Sequence, residues 1–286
     1  MRKTALTRAS ATASLALVAT VSDLLLYPVK GCAGGPLTRA QVLPTGVKHD
    51  RTFMFVRADD GVFRSQRSTP KLSVIRPDLA ADGEKLTLSA PDVQSLALDV
   101  ALDGRRLAVS VHGVWDGEGV DQGDEAAEWA SDLVGESLRL VRVPPDHQRR
   151  VDDAHGDITF TDSTPLHLTS LSSLDDLNAR ILEKGADPVP MARFRPNIVI
   201  SGWQTPYTED GIREFSIGTT RLRWVKPDVR CQVTMVDQPT GERAGPEPLR
   251  TLADYRREPD GGVSFGIKVA VLTPGEIEVG DEITLH

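Results

Sequence analysis

The sequence is poor in cysteine and in aromatic residues. Its 286 residues include two cysteines, Cys32 and Cys231, and aromatic residues make up 5% of the chain. Two thiols are too few for a four-cysteine zinc site or a ferredoxin-type cluster. A disulfide between them is possible on count alone, but the chain has no dense cysteine framework of the secreted kind. We therefore expect a reducing compartment, the cytoplasm.

The sequence also lacks a long apolar run. The stretch at 15–19 is mildly apolar and follows a basic start, which is a weak resemblance to a signal peptide. It is much shorter than the roughly 20 residues that a membrane-spanning helix needs. We predict no membrane span, and we interpret residues 1–20 as a loose N-terminal extension ahead of a first strand that begins near Val21.

Positive charge is in deficit, and the common active-site motifs are absent. The formal net charge is −8, so the chain as a whole repels nucleic acid and anionic membranes. There is no phosphate-binding GxxxxGK[ST] loop, no GxGxxG after a strand, no HExxH and no GxSxG. A basic cluster in such a chain indicates either one small bound anion or scattered surface ion pairs.

Glycine and proline, in contrast, are plentiful, with 24 and 19 residues. They separate short apolar runs, which predicts an α+β fold that is mainly β with a few helices. The apolar spacing predicts helices at 125–134, capped by Asp124 and ended by Gly135, and at 170–182. Pro-rich residues 144–150 indicate a boundary between domains at 21–143 and 151–286. Strands are predicted at 21–27, 40–43, 51–57, 62–63, 86–89, 96–100, 138–143, 197–201, 214–217, 220–225, 232–236, 267–272 and 281–285.

Cys231 is the first candidate for chemistry. It follows Arg230, and a neighbouring cation favours the thiolate form that ligates soft metals. A small buried hydrophobic residue is the alternative that its sequence context leaves open. Arg193 and Arg195 are two positions apart, so an extended segment would place both guanidinium groups on one face, where they suit an oxyanion.

Further candidates lie in both halves. Lys30 and Gly31 occupy a glycine-rich loop, and Arg51 follows in a basic stretch at 48–51; glycine lets backbone N–H groups approach an anion closely. The hydroxyls at 161–165 precede a predicted helical stretch, where anions often bind. Surface ion pairs and simple helix capping explain the same residues equally well.

The order of these signals resembles a known family, the proteins that join an N-terminal β-barrel domain to a molybdenum cofactor sulfurase C-terminal (MOSC) domain. Their functional relatives include the mitochondrial amidoxime reducing component and its bacterial counterparts. The similar stretches are Tyr-Pro-Val-Lys-Gly at 27–31, His-Asp-Arg at 49–51, residues 121–129, Phe-Thr-Asp-Ser-Thr-Pro at 160–165, residues 194–202, Arg-Cys at 230–231 and Val-Asp-Gln-Pro-Thr-Gly at 236–241.

The resemblance implies two tandem β-barrel domains and a molybdopterin-bound molybdenum with Cys231 as the metal ligand and catalytic residue. It implies that the pterin and its phosphate are bound by Lys30, Gly31, Arg51, Ser163, Thr164, Arg195, Asn197 and Arg230. Gly31 stands where relatives often have serine, and Lys268 is the nearest equivalent of a tyrosine that some relatives use.

The implied function is the reduction of small N-hydroxylated compounds such as amidoximes and hydroxylamines. The chain lacks the cysteines of a ferredoxin domain, so electrons are expected from a separate protein of the ferredoxin, flavoprotein or cytochrome type. The alternative is a non-enzymatic module that carries the molybdenum cofactor or transfers sulfur, in which Cys231 would still matter.

Overall fold

The computed structural model describes residues 18–286, so most of the predicted extension at 1–20 lies outside the described residues. Short strands dominate, as the many glycines and prolines predict, and the α+β class is confirmed. No helix within residues 18–286 combines the length and the apolar composition that crossing a membrane requires.

From residue 18 onward, the first half contains twelve strands and one α-helix. They are β1 (Thr20–Leu26), β2 (Val29–Lys30), β3 (Gly35–Leu37), β4 (Arg39–Leu43), β5 (Gly46–Val47), β6 (Phe53–Arg57), β7 (Arg76–Leu79), β8 (Lys85–Ala90), β9 (Val93–Asp99), β10 (Arg106–Val111), β11 (Trp115–Asp121), α1 (Asp124–Val134) and β12 (Leu138–Arg142). One sheet has the order β10-β11-β12-β6-β2, and a second has the order β7-β8-β9. The buried faces of these strands and of α1 enclose a core around Phe53 and Phe55.

The second half contains nine strands and two α-helices. They are β13 (Leu166–Ser170), α2 (Leu171–Glu183), β14 (Ile198–Ser201), β15 (Glu214–Ile217), β16 (Thr220–Arg230), β17 (Val236–Asp237), β18 (Glu242–Arg243), α3 (Leu249–Tyr255), β19 (Val263–Thr273), β20 (Gly275–Glu278) and β21 (Ile283–Leu285). Long strands β16 and β19 pair at the centre of an eight-stranded sheet ordered β21-β15-β16-β19-β13-β14-β1-β3. Alternating apolar residues such as Ile198, Ile200 and Phe215 form its core.

The large sheet joins both halves of the chain. Strand β1 pairs antiparallel with β14, with Leu24 opposite Ile198, and β4 pairs with β20. Strands β1 and β3 therefore complete the eight-stranded sheet, whose other strands come from the second half. The chain then continues into the sheets of the first half. The domain division at 144–150 stays a prediction, and the chain passes between the halves more than once.

Several local predictions meet different outcomes. Helices α1 and α2 are confirmed, and Gly135 ends α1 in the left-handed conformation, although Gly123 rather than Asp124 is the N-cap residue. The strand predicted at 232–236 is wrong, because a 3₁₀ helix spans Gln232–Met235. The helix expected directly after residues 161–165 is also wrong, since β13 intervenes.

The extended segment expected at 193–197 is not observed. A 3₁₀ turn covers Met191–Arg193, and Arg195 has a φ of 56°. The two guanidinium groups therefore diverge. Arg193 donates to the Glu247 carbonyl at 3.4 Å, while Arg195 lines a cleft.

Candidate functional site

A cleft opens where the two halves meet, with an empty volume of about 970 Å³ counted to its mouth. Residues from both halves line it, and they include all nine site residues that the family resemblance implies, whereas Arg193 does not line the cleft. The nine are Lys30, Gly31, Arg51, Ser163, Thr164, Arg195, Asn197, Arg230 and Cys231. The structure thus brings together positions that are up to about two hundred residues apart in sequence.

Cys231 occupies the bend between strand β16 and the following 3₁₀ helix. Its carbonyl accepts a hydrogen bond from the Thr234 hydroxyl at 3.0 Å, which fixes the bend. Upstream, the pairing of β16 with β19 shifts register between Pro227 and Val229; such bulges re-aim side chains. Cys231 is partly accessible, whereas Cys32 is fully buried, and both thiols are free, so the disulfide option is excluded.

Two arginines share one aromatic platform in the cleft. The guanidinium carbons of Arg51 and Arg195 each lie 4.4 Å from the ring centroid of Tyr27, which is buried. Arg51 also donates to the Asn197 side-chain oxygen at 3.0 Å and to the Arg195 carbonyl at 3.2 Å, and it forms an ion pair with Asp50. Burial lowers the pKa of Arg195 to about 10, which still leaves it charged near neutral pH.

A second pair of cations lies against the loop at 159–165. The Lys30 ammonium contacts a carboxylate oxygen of Asp162 at 2.5 Å, and the Lys268 ammonium donates to the Ser163 hydroxyl at 2.8 Å. Burial lowers the pKa of Lys30, and the ion pair with Asp162 opposes that effect. Gly31, next to Lys30, has a φ of 86°, a conformation that favours glycine over a residue with a side chain.

Arg230 closes the cleft beside the thiol. It forms an ion pair with Asp228 and donates to the Phe194 carbonyl at 2.8 Å. Behind it, the His167 ring nitrogen lies 3.3 Å from the Phe265 carbonyl and 3.5 Å from the Asp228 carboxylate. Burial lowers the pKa of His167 to about 4, so this histidine is neutral near pH 7 and donates to the carbonyl.

The sequence analysis missed residues that act through tertiary contacts. Arg149, assigned to a linker, is buried and donates to the carbonyls of Thr159 and Thr161 at 3.2 and 2.9 Å. Its guanidinium also lies 4.6 Å from the Trp115 ring centroid. Arg149 thereby supports the loop that carries Ser163. Nothing in the local sequence distinguishes this arginine from its exposed neighbour.

The electrostatics of the cleft favour an anion. Six cationic side chains and two carboxylates line it, although the whole chain carries a net charge of −8. The Arg230 Nε and the Thr161 hydroxyl are buried and lack a hydrogen-bond partner. Since buried polar groups are normally paired, these donors fit a ligand rich in acceptor oxygens. The cleft therefore combines a free thiol with donors that suit an anion.

Comparisons with known proteins identify the family of the chain. A family model for the MOSC N-terminal beta barrel domain matches residues 18–137, and one for the MOSC domain matches residues 155–284. The chain is 36% identical to mitochondrial amidoxime-reducing component 1 of Homo sapiens, over 94% of this chain and 83% of that protein. It is 33% identical to molybdenum cofactor sulfurase of Danio rerio, over 88% of this chain and 32% of that protein. The resemblance that the sequence predicts is confirmed, and the chain belongs to the family of MOSC-domain proteins that carry an N-terminal MOSC beta barrel domain.

Proposed function

We propose that this protein binds molybdopterin-bound molybdenum in the cleft and reduces small N-hydroxylated compounds, such as amidoximes and hydroxylamines. The observation that carries the proposal is the free thiol of Cys231 in one cleft with basic residues from both halves. The relatives support the two parts of the proposal: one is an amidoxime-reducing component, which supports the reaction, and another is a molybdenum cofactor sulfurase, which supports the cofactor.

The side chains of the cleft fit such a cofactor. A phosphate needs several donors, and the unpartnered Arg230 Nε and Thr161 hydroxyl are available beside the charged groups of the cleft. Cys231 is the soft ligand that suits molybdenum. The residues that would hold the pterin and its phosphate are Lys30, Gly31, Arg51, Ser163, Thr164, Arg195, Asn197 and Arg230. When bound, the cofactor supplies two-electron redox chemistry, which is its own rather than the protein's.

The chain contributes binding, orientation and a fixed electrostatic field. Arg51 and Arg195 are held by the Tyr27 ring, and Ser163 is held by Lys268, so their donors need little rearrangement when an anion arrives. We assign no side chain as an acid or base, because solvent can supply the protons. Electrons come from a separate ferredoxin, flavoprotein or cytochrome-type protein, and we place the reaction in the cytoplasm.

Metal analysis tests cofactor binding. Protein made in a molybdate-fed host that synthesises the cofactor should contain close to one molybdenum per chain, and Cys231→Ser should lose the metal or the activity. Cys32→Ser is the matched control, because its thiol is buried in the core of the first half, and this variant should keep the metal. Equal molybdenum and equal activity in Cys231→Ser and the parent would contradict the assignment.

An activity assay separates an enzyme from a carrier. Reduction of benzamidoxime by a chemical electron donor, measured as benzamidine formed, is expected for the molybdenum-loaded parent. A loaded protein that forms no benzamidine but transfers its cofactor to an apo-enzyme would favour the alternative, a non-enzymatic carrier or sulfur-transfer module. The similarity to a cofactor sulfurase over 88% of this chain is the observation that keeps this alternative open.

A further inference from the structure

Two buried glutamines connect the two halves of the chain beside the cleft, and one of them, Gln66, lines it. Gln66 and Gln238 are 1% and 9% exposed. Their side-chain amides exchange two hydrogen bonds, from Gln66 Nε2 to Gln238 Oε1 at 3.1 Å and from Gln238 Nε2 to Gln66 Oε1 at 2.9 Å. The two residues are 172 positions apart in sequence, so the pair is a purely tertiary contact.

Each amide also reaches one part of the cofactor site. Gln66 Nε2 donates to the Gly31 carbonyl at 2.7 Å, and Gln238 Oε1 accepts from the Arg195 guanidinium at 3.3 Å. The result is a continuous chain of hydrogen bonds from the Lys30–Gly31 turn to Arg195. Gln238 Nε2 donates its second hydrogen to the Val236 carbonyl at 3.2 Å, which completes the pairing of this amide.

The chemistry of the two ends fixes the orientation of both amides. A carbonyl can only accept and a guanidinium can only donate. Gln66 must therefore present nitrogen to Gly31, and Gln238 must present oxygen to Arg195. Flipping either amide would place two donors or two acceptors in opposition. A buried network with one allowed arrangement holds its members more firmly than packing alone.

The motif at 236–241 explains how Gln238 reaches this place. The Asp237 carboxylate accepts from the backbone N–H and the hydroxyl of Thr240 at 3.2 and 3.1 Å, and the N–H of Gly241 donates to the Asp237 carbonyl at 2.9 Å. These bonds build a tight turn after β17. Gln238 lies inside that turn, so the turn sets the direction of its side chain toward the cleft.

We propose that Gln66 and Gln238 form a positioning pair that sets the separation of Arg195 from the Lys30–Gly31 turn, so that basic groups from both halves bind one anionic ligand. This inference rests on the proposed function, which places the anionic part of the cofactor in this cleft. Neither glutamine has to touch the ligand; the pair acts through Arg195 and Gly31.

The double variant Gln66→Leu/Gln238→Leu tests the pair. Replacing both glutamines removes their mutual hydrogen bonds without leaving a buried amide unpaired, whereas a single replacement would leave one. The Gly31 and Val236 carbonyls and the Arg195 guanidinium also lose a partner, so we expect a modest fall in the thermal midpoint with the fold intact. Removing the hydrogen bonds that orient metal ligands weakens metal binding about 10- to 100-fold. By analogy, we expect about a tenfold weaker affinity for inorganic pyrophosphate, measured by calorimetry on cofactor-free protein. Molybdenum retained per chain after dialysis should fall in parallel.

Gln204→Leu is the control, because Gln204 is exposed and is not among the residues that line the cleft. Parent-like pyrophosphate affinity and molybdenum retention in the double variant would overturn the positioning role, and so would a loss that merely follows a large fall in thermal midpoint.

If the double variant does not fold, Gln238→Glu replaces it, since a carboxylate still accepts from Arg195 but opposes the Gln66 oxygen. Unchanged pyrophosphate affinity in Gln238→Glu would also overturn the positioning role. If the parent binds neither pyrophosphate nor molybdenum, the proposed function itself is wrong.

Discussion

At the scale of single residues, Tyr27 shows how one side chain can organise several charges. Its buried ring lies against the guanidinium groups of both Arg51 and Arg195. Aromatic faces attract cations, and the attraction grows when water is excluded. The ring thus offsets part of the cost of holding two like charges close together without a bound anion.

Substitution of Tyr27 tests this role. Tyr27→Leu should lower the free energy of unfolding by about 3 kcal/mol, because it removes a buried ring and two cation–π contacts. Tyr27→Phe keeps the ring and should stay within about 1 kcal/mol of the parent. Urea denaturation followed by circular dichroism measures both variants. Equal losses in the two would show that the hydroxyl, not the ring, is what matters.

His167 predicts a specific response to acid. Its pKa of about 4 in the folded protein lies below the ordinary value of 6.5, so the unfolded chain binds the proton first as the pH falls. The contribution of neutral His167 to the free energy of unfolding is therefore fully present above pH 6.5. About 3 kcal/mol of it is lost as the pH falls toward 4. His167→Gln should flatten the dependence of unfolding free energy on pH within this window and run parallel to the parent above pH 7.5. Identical slopes between pH 6.5 and 4 would contradict the buried neutral state.

At the scale of elements, the helices follow local rules. Helix α1 ends at Gly135, whose φ of 76° is the left-handed conformation typical of a helix terminus. A Cβ at this position would meet no atom within 4 Å, so only backbone strain opposes a side chain. Gly135 is therefore well suited to measuring how much the left-handed glycine after α1 contributes to the free energy of unfolding.

Gly135→Ala should lower the free energy of unfolding by about 1 kcal/mol. Gly211→Ala is the matched control, because a Cβ there is also free of contacts and Gly211 does not have a positive φ. Thermal unfolding of the two variants alongside the parent gives the comparison. A control that loses as much stability as Gly135→Ala would remove the conformational explanation.

Local signals predicted α1 and α2 from the sequence but failed around the site. Residues 232–236 are rich in β-branched side chains and predicted a strand, yet the Thr234 hydroxyl bonds back to the Cys231 carbonyl and the chain turns. The short helix α3 lacks a side-chain cap and was not predicted. Arg195 lies in the cleft because of a left-handed backbone, which no propensity of arginine indicates.

At the scale of the whole molecule, the nine residues of the cleft could be assigned to one site only through the order of their motifs, which resembles that of a known family. Each charged residue, considered alone, is as consistent with a surface ion pair as with a binding site. Tyr27, Gln66 and Arg149 stayed unassigned because their roles depend on contacts between distant segments. The sheet that joins both halves was equally hidden, since strand pairing over long separations leaves no local pattern.

This shared sheet predicts that the second half does not fold alone. A fragment of residues 144–286 lacks β1 and β4, so it exposes the edges of β14 and β20 and the apolar side chains that β1 covers. We expect no cooperative urea transition for the fragment, and partial recovery when a peptide of residues 18–48 is added. The intact chain should unfold in one transition. A fragment with the stability of the intact protein would contradict the shared core.

The same pairing sets a waiting time during synthesis. Thr20 and its partner Ser201 are 181 residues apart, so a ribosome adding about 5–20 residues per second makes β14 roughly ten to forty seconds after β1. Throughout that interval the edge of β1 that pairs with β14 has no partner, although β3 can already pair with the opposite edge. Folding during synthesis therefore requires that the exposed edge of β1 does not aggregate before β14 has been synthesised.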